Sequence, residues 1–239
     1  MNARRPRVCV LHTVAALPAV FTPLLAELAP GVDPYHVVDE SLLADTIAHG
    51  PLPRTTARLA AYVTHAEAAG ADAVLVTCSS LGSAAERVRE LTTLPVLRVD
   101  EPMADEAVRM GTRVGILATL DSTLTPTAGL VSRRATEAGA HIALETSVCP
   151  GAYEARMAGD LARHDALITE EARRLAADHD VVVLAQASMA AALTALPDDA
   201  LGIPVLTSPR SGVAQLTTLY EKSDGARPEK PRRSEAGRS

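Results

Sequence analysis

Short runs of β-branched and other apolar residues alternate with longer stretches rich in Ala, Leu, Glu and Arg. That alternation is the pattern of βαβ units around a parallel sheet. It predicts strands at Arg7 to Leu11, Ala73 to Val76, Val96 to Val99, Arg113 to Leu117, His141 to Leu144, Val181 to Leu184 and Val205 to Thr207. Apolar residues spaced by three and four predict helices at Ala19 to Leu28, Thr55 to Ala69, Ser83 to Leu91 and Asp165 to Asp178.

The pattern also repeats. RVCVLHT at Arg7 returns as RVGILAT at Arg113, an offset of 106 residues. ADAVLVTCSSLGSA, which holds Cys78, returns as DHDVVVLAQASMAAA, which holds Gln186, an offset of 108. LPVL at Leu94 returns as IPVL at Ile203, an offset of 109. Three landmarks in the same order at nearly constant spacing mark a duplicated half. The expected fold class is therefore α/β, with two pseudo-symmetric Rossmann-like halves, parallel sheets and a central cleft. Residues 1–100 with 208–220 would form the first half and 101–207 the second. The polar, Pro- and Gly-containing stretch 221–239 is expected to be a disordered tail, because it has too little apolar surface to bury.

Ligands in open α/β sheets bind beyond the carboxyl ends of the strands. That rule selects His12 and Thr13, then Thr77, Cys78, Ser79 and Ser80, then Thr119 and Ser122, then Gln186 and Ser188. With the halves facing one another, Cys78 and Gln186 look across one cleft. Cys78 stands at a strand-to-helix turn, where free backbone N–H groups and a helix N-terminus lower a thiol pKa and attract a carboxylate. His12 is expected to give Cys78 a proton acceptor or an imidazolium partner, the alternative being a capping or solvent-facing ring. Asp39 and Glu40 read as an acidic pair at a helix N-terminus, and Thr119, Asp121 and Ser122 as either carboxylate ligands or a helix cap.

Composition narrows the possibilities. The chain has 239 residues, is 47% hydrophobic with one Phe, four Tyr and no Trp, and carries a formal charge of −6. There is no basic field and there are few aromatic platforms, so no nucleic-acid partner is expected. Three cysteines, Cys9, Cys78 and Cys149, form no CxxC pair, which argues against a disulfide framework or a zinc site and for a reducing, cytoplasmic setting. No apolar run reaches the ~18 residues of a membrane span. GxGxxG after the first strand, GxxxxGK[ST] and HExxH are all absent, so no metal and no cofactor is expected.

VTCSSLG after an apolar strand, the opening VLHT, the segment VVDESLL and the second polar turn together resemble the aspartate/glutamate/hydantoin racemase superfamily, over roughly Arg7 to Leu219. The resemblance implies two Rossmann-like domains, a small carboxylate or amino-acid-like substrate, a homodimer and catalysis without cofactor. In the racemases two cysteines face each other across the substrate α-carbon. Here the first matches Cys78, but the second falls on Gln186, which has no proton to exchange near neutral pH. The decarboxylase members show the reverse pattern, keeping the second cysteine and lacking the first. The resemblance thus implies an isomerase-like enzyme working through one thiolate, with a lyase or decarboxylase, or a non-catalytic carboxylate-binding protein, as alternatives. Cys149, in SVCPGAYEA, is a candidate substitute for the missing thiol, and Cys9 reads as core.

Overall fold

The computed structural model describes residues 4–193, 197 and 200–225, without the side chains of 218–225. Two four-stranded sheets, parallel throughout, share one design. In the first, β1 (Arg7–His12), β2 (Asp33–Val38), β3 (Ala73–Val76) and β4 (Val96–Arg98) are ordered β2-β1-β3-β4. In the second, β5 (Arg113–Ala118), β6 (Ala143–Val148), β7 (Val181–Leu184) and β8 (Val205–Thr207) are ordered β6-β5-β7-β8. The repeat seen in the sequence is thus a repeat of topology, with β1, β3 and β4 matched by β5, β7 and β8.

Six of the seven expected strands lie within a residue of their predicted positions, because the central strands are buried on both faces and read as unbroken apolar runs. Two of the four edge strands differ. β2, DPYHVV, was not anticipated, and β6 runs Ala143–Val148 rather than His141 to Leu144. Each pairs on one side only and is half-exposed, so neither needs an apolar run, and an edge tolerates Pro34.

Helices cover both faces of each sheet. Alternate residues of β1 point to opposite cores: Val8 and Val10 meet Phe21 and Leu25 of α1 (Leu17–Leu28), whereas Cys9 and Leu11 meet Leu59 and Val63 of α3 (Pro53–Ala68). Cys9 is a core residue, as expected. α2 (Glu40–His49) has Asp39 as its N-cap, accepting from Ser41 N–H at 3.0 Å, so the acidic pair opens a helix. The remaining helices are α4 (Gly82–Arg89), α5 (Glu101–Met110), α6 (Asp121–Glu137), α7 (Ala152–Met157), α8 (Leu161–Ala176) and α9 (Ser208–Gly225). α9 returns to the first sheet, where Val213 and Leu216 join the α1 core and Arg210 pairs with Glu27. It continues beyond Glu221, into the stretch expected to be without structure, and 226–239 lie outside the described residues.

The halves are pinned together through a buried arginine. Arg98, at the end of β4, holds Asp100 with a two-bond fork at 2.9 and 2.8 Å and also reaches Glu86 of α4, which in turn takes Arg133 of α6. A guanidinium so held cannot move aside, and it lies directly against the bare Cα of Gly82. A Cβ there would sit well inside van der Waals contact with it. Gly82→Ala is expected to cost about 2 kcal/mol, seen as a fall of about 5 °C in thermal midpoint. An unchanged midpoint would mean that the Arg98 network yields freely.

Candidate active site

The carboxyl ends of β1, β3 and β7 meet around a narrow slit. Its walls are Thr13, Val14 and Leu17 after β1, Leu43 of α2, Thr77 to Ser80 after β3, Thr123 of α6, and Gln186 to Ser188 after β7. The structure therefore brings Thr13, Thr77, Cys78, Ser79, Ser80, Gln186 and Ser188 to one cavity. Thr123, unanticipated, joins them and ties the halves across the slit through a 2.9 Å bond between its hydroxyl and that of Ser80.

Cys78 has extended backbone geometry and leads into the short 3-10 turn Ser79–Leu81, ahead of α4. It keeps part of its surface in the slit even though protein surrounds it on most sides. Burial pushes its thiol above the ordinary value, against the opposing pull of Thr13, the Leu81 and Ser80 N–H groups and the Ser80 hydroxyl. This corrects the expectation of a depressed pKa: the donors are in place, but desolvation of the thiolate outweighs them. Cys78 rests as a thiol at neutral pH. Alkylation of the unliganded protein should accordingly reach its half-maximal rate above pH 9, the ordinary value for this group, as followed by intact mass. A midpoint near pH 7 would refute that assignment.

Thr13 Oγ1 faces the sulfur, yet it is buried and meets no partner at hydrogen-bond geometry. Its hydroxyl is thus available to a ligand. Gln186 is held differently. Its Oε1 accepts from the Thr119 N–H at 2.6 Å, and since that N–H can only donate, the amide orientation follows. Nε2 donates to Thr119 Oγ1 at 2.8 Å, leaving one amide N–H without a partner among the described residues. Thr119, expected to bind substrate, instead positions Gln186 and does not line the slit. Nor does it cap α6, whose N-cap is Leu120 with no side-chain bond. Ser122 also stands apart, in the wall of a second cavity, because the first turn of α6 presents Thr123 to the slit.

His12 does not serve Cys78 directly. Its ring is fully buried and both nitrogens are taken: Nδ1 lies 2.9 Å from Thr77 Oγ1 and Nε2 2.8 Å from His36 Nδ1. The Thr22 hydroxyl donates to the Pro18 carbonyl, so it accepts from His36 Nε2–H at 3.2 Å. His12 Nε2 and His36 Nδ1 share one hydrogen between them, and Thr77 Oγ1, beside His12 Nδ1, also donates to the Leu11 carbonyl at 3.1 Å. Burial first and His36 second hold His12 down at about 4, and burial also lowers His36. Both rings are neutral at pH 7. His36 sits on the unanticipated strand β2, so the sequence carried no signal for this pair.

Cys149 is no substitute thiol. It packs with Leu117, Ile168 and Leu175 in the core beneath α8, where burial, with Glu171 and Glu170 nearby, pushes it up to about 11. The turn at Pro150 and Gly151 follows it, and its side chain packs inward, away from the slit. Among the described residues no group of His, Cys, Asp and Glu could hold a metal ion, and no helix is long and apolar enough to cross a membrane.

The Asp/Glu/Hydantoin racemase family matches residues 13–216. The chain belongs to that family. No curated protein matches it by sequence. Glutamate racemase RacE1 from Bacillus anthracis superposes with a TM-score of 0.70 at 16% identity, over 92% of this chain and 84% of that one. Allantoin racemase from Klebsiella pneumoniae gives 0.66 at 18% identity, over 94% of each chain. A glycine-to-cysteine mutant of arylmalonate decarboxylase gives 0.58 at 17% identity, over 95% of this chain and 97% of that one. At such identities the likeness is one of fold, the two-half α/β architecture described above. Within this racemase family member, the position that answers Cys78 across the repeat holds an amide anchored by Thr119.

Proposed function

We propose that this racemase-family protein is a cofactor-independent isomerase that moves a proton at the α-carbon of a small carboxylate, with Cys78 as its one acid–base group. The observation that carries this reading is the slit itself: one partly exposed thiol, ringed by buried donors, facing an amide across the seam between the halves. Thr13 Oγ1 and the unpartnered Gln186 N–H would hold the carboxylate oxygens, and they gain strength as the α-carbon gives up its proton and negative charge spreads onto those oxygens. A bound carboxylate also displaces water. The thiolate fraction of Cys78 removes the proton, and the thiol so formed returns it on the same face. Return to the α-carbon is exchange with configuration kept, and return to the far carbon of a conjugated double bond shifts that bond and is the net isomerisation.

The resting thiol favours a second reading. A protonated Cys78 is ready to donate, as a lyase or decarboxylase requires once carbon dioxide has left and the electron pair remains on the α-carbon. The two readings share Cys78, Thr13 and Gln186 and differ in product.

Incubation of a panel of carboxylates and amino acids in heavy water, read by mass spectrometry and chiral chromatography, separates them. The expected result is deuterium at the α-position with configuration retained, or loss of the mass of carbon dioxide for a decarboxylation. No exchange and no mass change with any compound would overturn both. Gln186→Cys supplies a proton donor on the other face and is expected to add inversion to exchange, so that one enantiomer of an exchanging compound becomes a mixture. Continued retention in that variant would mean that residue 186 does not face the reacting carbon.

A further inference from the structure

The slit at Cys78 encloses only about 50 Å³. Binding sites for organic ligands run to about 300–1,000 Å³, so the slit holds a carboxylate and the reacting carbon and little else. The rest of any substrate must lie elsewhere. A chamber of about 580 Å³ stands on the other side of Ser80, which lines both spaces. Ser80, whose hydroxyl bonds to that of Thr123, stands between the two spaces, and the neighbouring Ser122 already faces the chamber. The larger cavity of about 860 Å³ is no rival, because it opens around Thr92 to Pro95 at the entry to β4, the opposite end of the sheet from Cys78.

The chamber's chemistry is selective. Ile47, within the end of α2, and Pro51, just after it, line the chamber with Pro126 and Gly129 of α6 and make it largely apolar. Two cations border it, but both are committed: Arg98 to Asp100 and Glu86, and Arg133 to Glu86. Asp121 adds a carboxylate with no ion partner among the described residues. A second carboxylate on the substrate would meet Asp121 and no free cation, whereas an uncharged apolar group gains by leaving water. The buried hydroxyl of Ser122, which lacks a partner, leaves room for one small polar atom.

We infer that the substrate is a monocarboxylate bearing a bulky, uncharged, mainly apolar group, seated in the chamber between α2 and α6. This rests on the carboxylate reading of the slit given above. The test is protection of Cys78 from iodoacetamide, followed by intact mass, with acetate, cyclohexylacetate and glutarate as the probes. Cyclohexylacetate is acetate with an apolar ring added, and glutarate is a chain of similar reach ending in a second carboxylate. Cyclohexylacetate is expected to protect at least tenfold better than acetate, and glutarate no better than acetate. Ile47→Trp, a change at a half-open position that fills the chamber, should abolish the advantage of cyclohexylacetate while leaving acetate protection as it was, which also reports an intact slit. Glutarate matching cyclohexylacetate, or an advantage that survives Ile47→Trp, would overturn the chamber assignment and leave the proposed function standing. If no carboxylate protects, acetate included, both readings fall.

Discussion

Cys78→Ser is expected to lower α-deuterium exchange about a thousandfold or more, equivalent to about 4 kcal/mol of lost transition-state stabilisation, with little change in thermal midpoint. The stability half of this expectation follows from the surroundings. Serine is close in size to cysteine, and the neighbours of Cys78 are hydroxyls and N–H groups that satisfy an oxygen as well as a sulfur. The activity half follows from acidity. A serine hydroxyl is a far weaker acid than a thiol and forms no useful population of anion. No other group in the slit can stand in, since Gln186 does not titrate and both His12 nitrogens are engaged with Thr77 and His36. Cys9 and Cys149 are sealed in separate cores. Exchange that persists at near wild-type rate in Cys78→Ser, with the Gln186→Cys inversion also missing, would move the chemistry out of this slit.

Much of this architecture is legible in the sequence because it depends on burial. β1, β3, β5 and β7 are covered on both faces along their middles and are apolar there, and the duplication repeats their spacing closely enough to pair Cys78 with Gln186. The rule that sites lie beyond strand ends then brings most of the slit into view. What escaped detection depends on three-dimensional neighbours. β2 is an edge strand without an apolar run, so His36, the partner of His12, was invisible. Thr119 and Thr123 are four residues apart at the end of β5 and the start of α6, and only the geometry of that turn decides which one meets the cavity. The direction of the Cys78 shift could not be read from TCSS either. The motif displays the donors that lower a thiol pKa, but the protein packed around it, which raises it more, is contributed by distant segments of both halves.

The paired imidazoles predict an unusual acid response. The ordinary value for a histidine is 6.5, and His12 is held at about 4 in the fold. Between those limits the unfolded chain binds a proton that the folded protein refuses, so folding stability is full above about pH 6.5 and declines as pH falls toward 4. For His12, which is fully buried, the difference is worth about 3 kcal/mol, and His36, also lowered, adds to it in the same direction. The cause lies in the contact between the rings. A bond from Nε2 to Nδ1 needs one hydrogen between two nitrogens, and a second proton there would set two donors against each other and place a positive charge beside Phe21, whose ring centroid is 5.4 Å from that of His12. Urea midpoints at pH 7.5 and 4.5 should therefore differ markedly in the wild type and much less in His12→Gln, which keeps a hydrogen-bonding side chain but cannot take up the proton. Carboxylates held low by partners, such as Asp180 beside Arg113, titrate below this window and leave it to the histidines. Equal acid losses in wild type and His12→Gln would show that the buried pair is not their source.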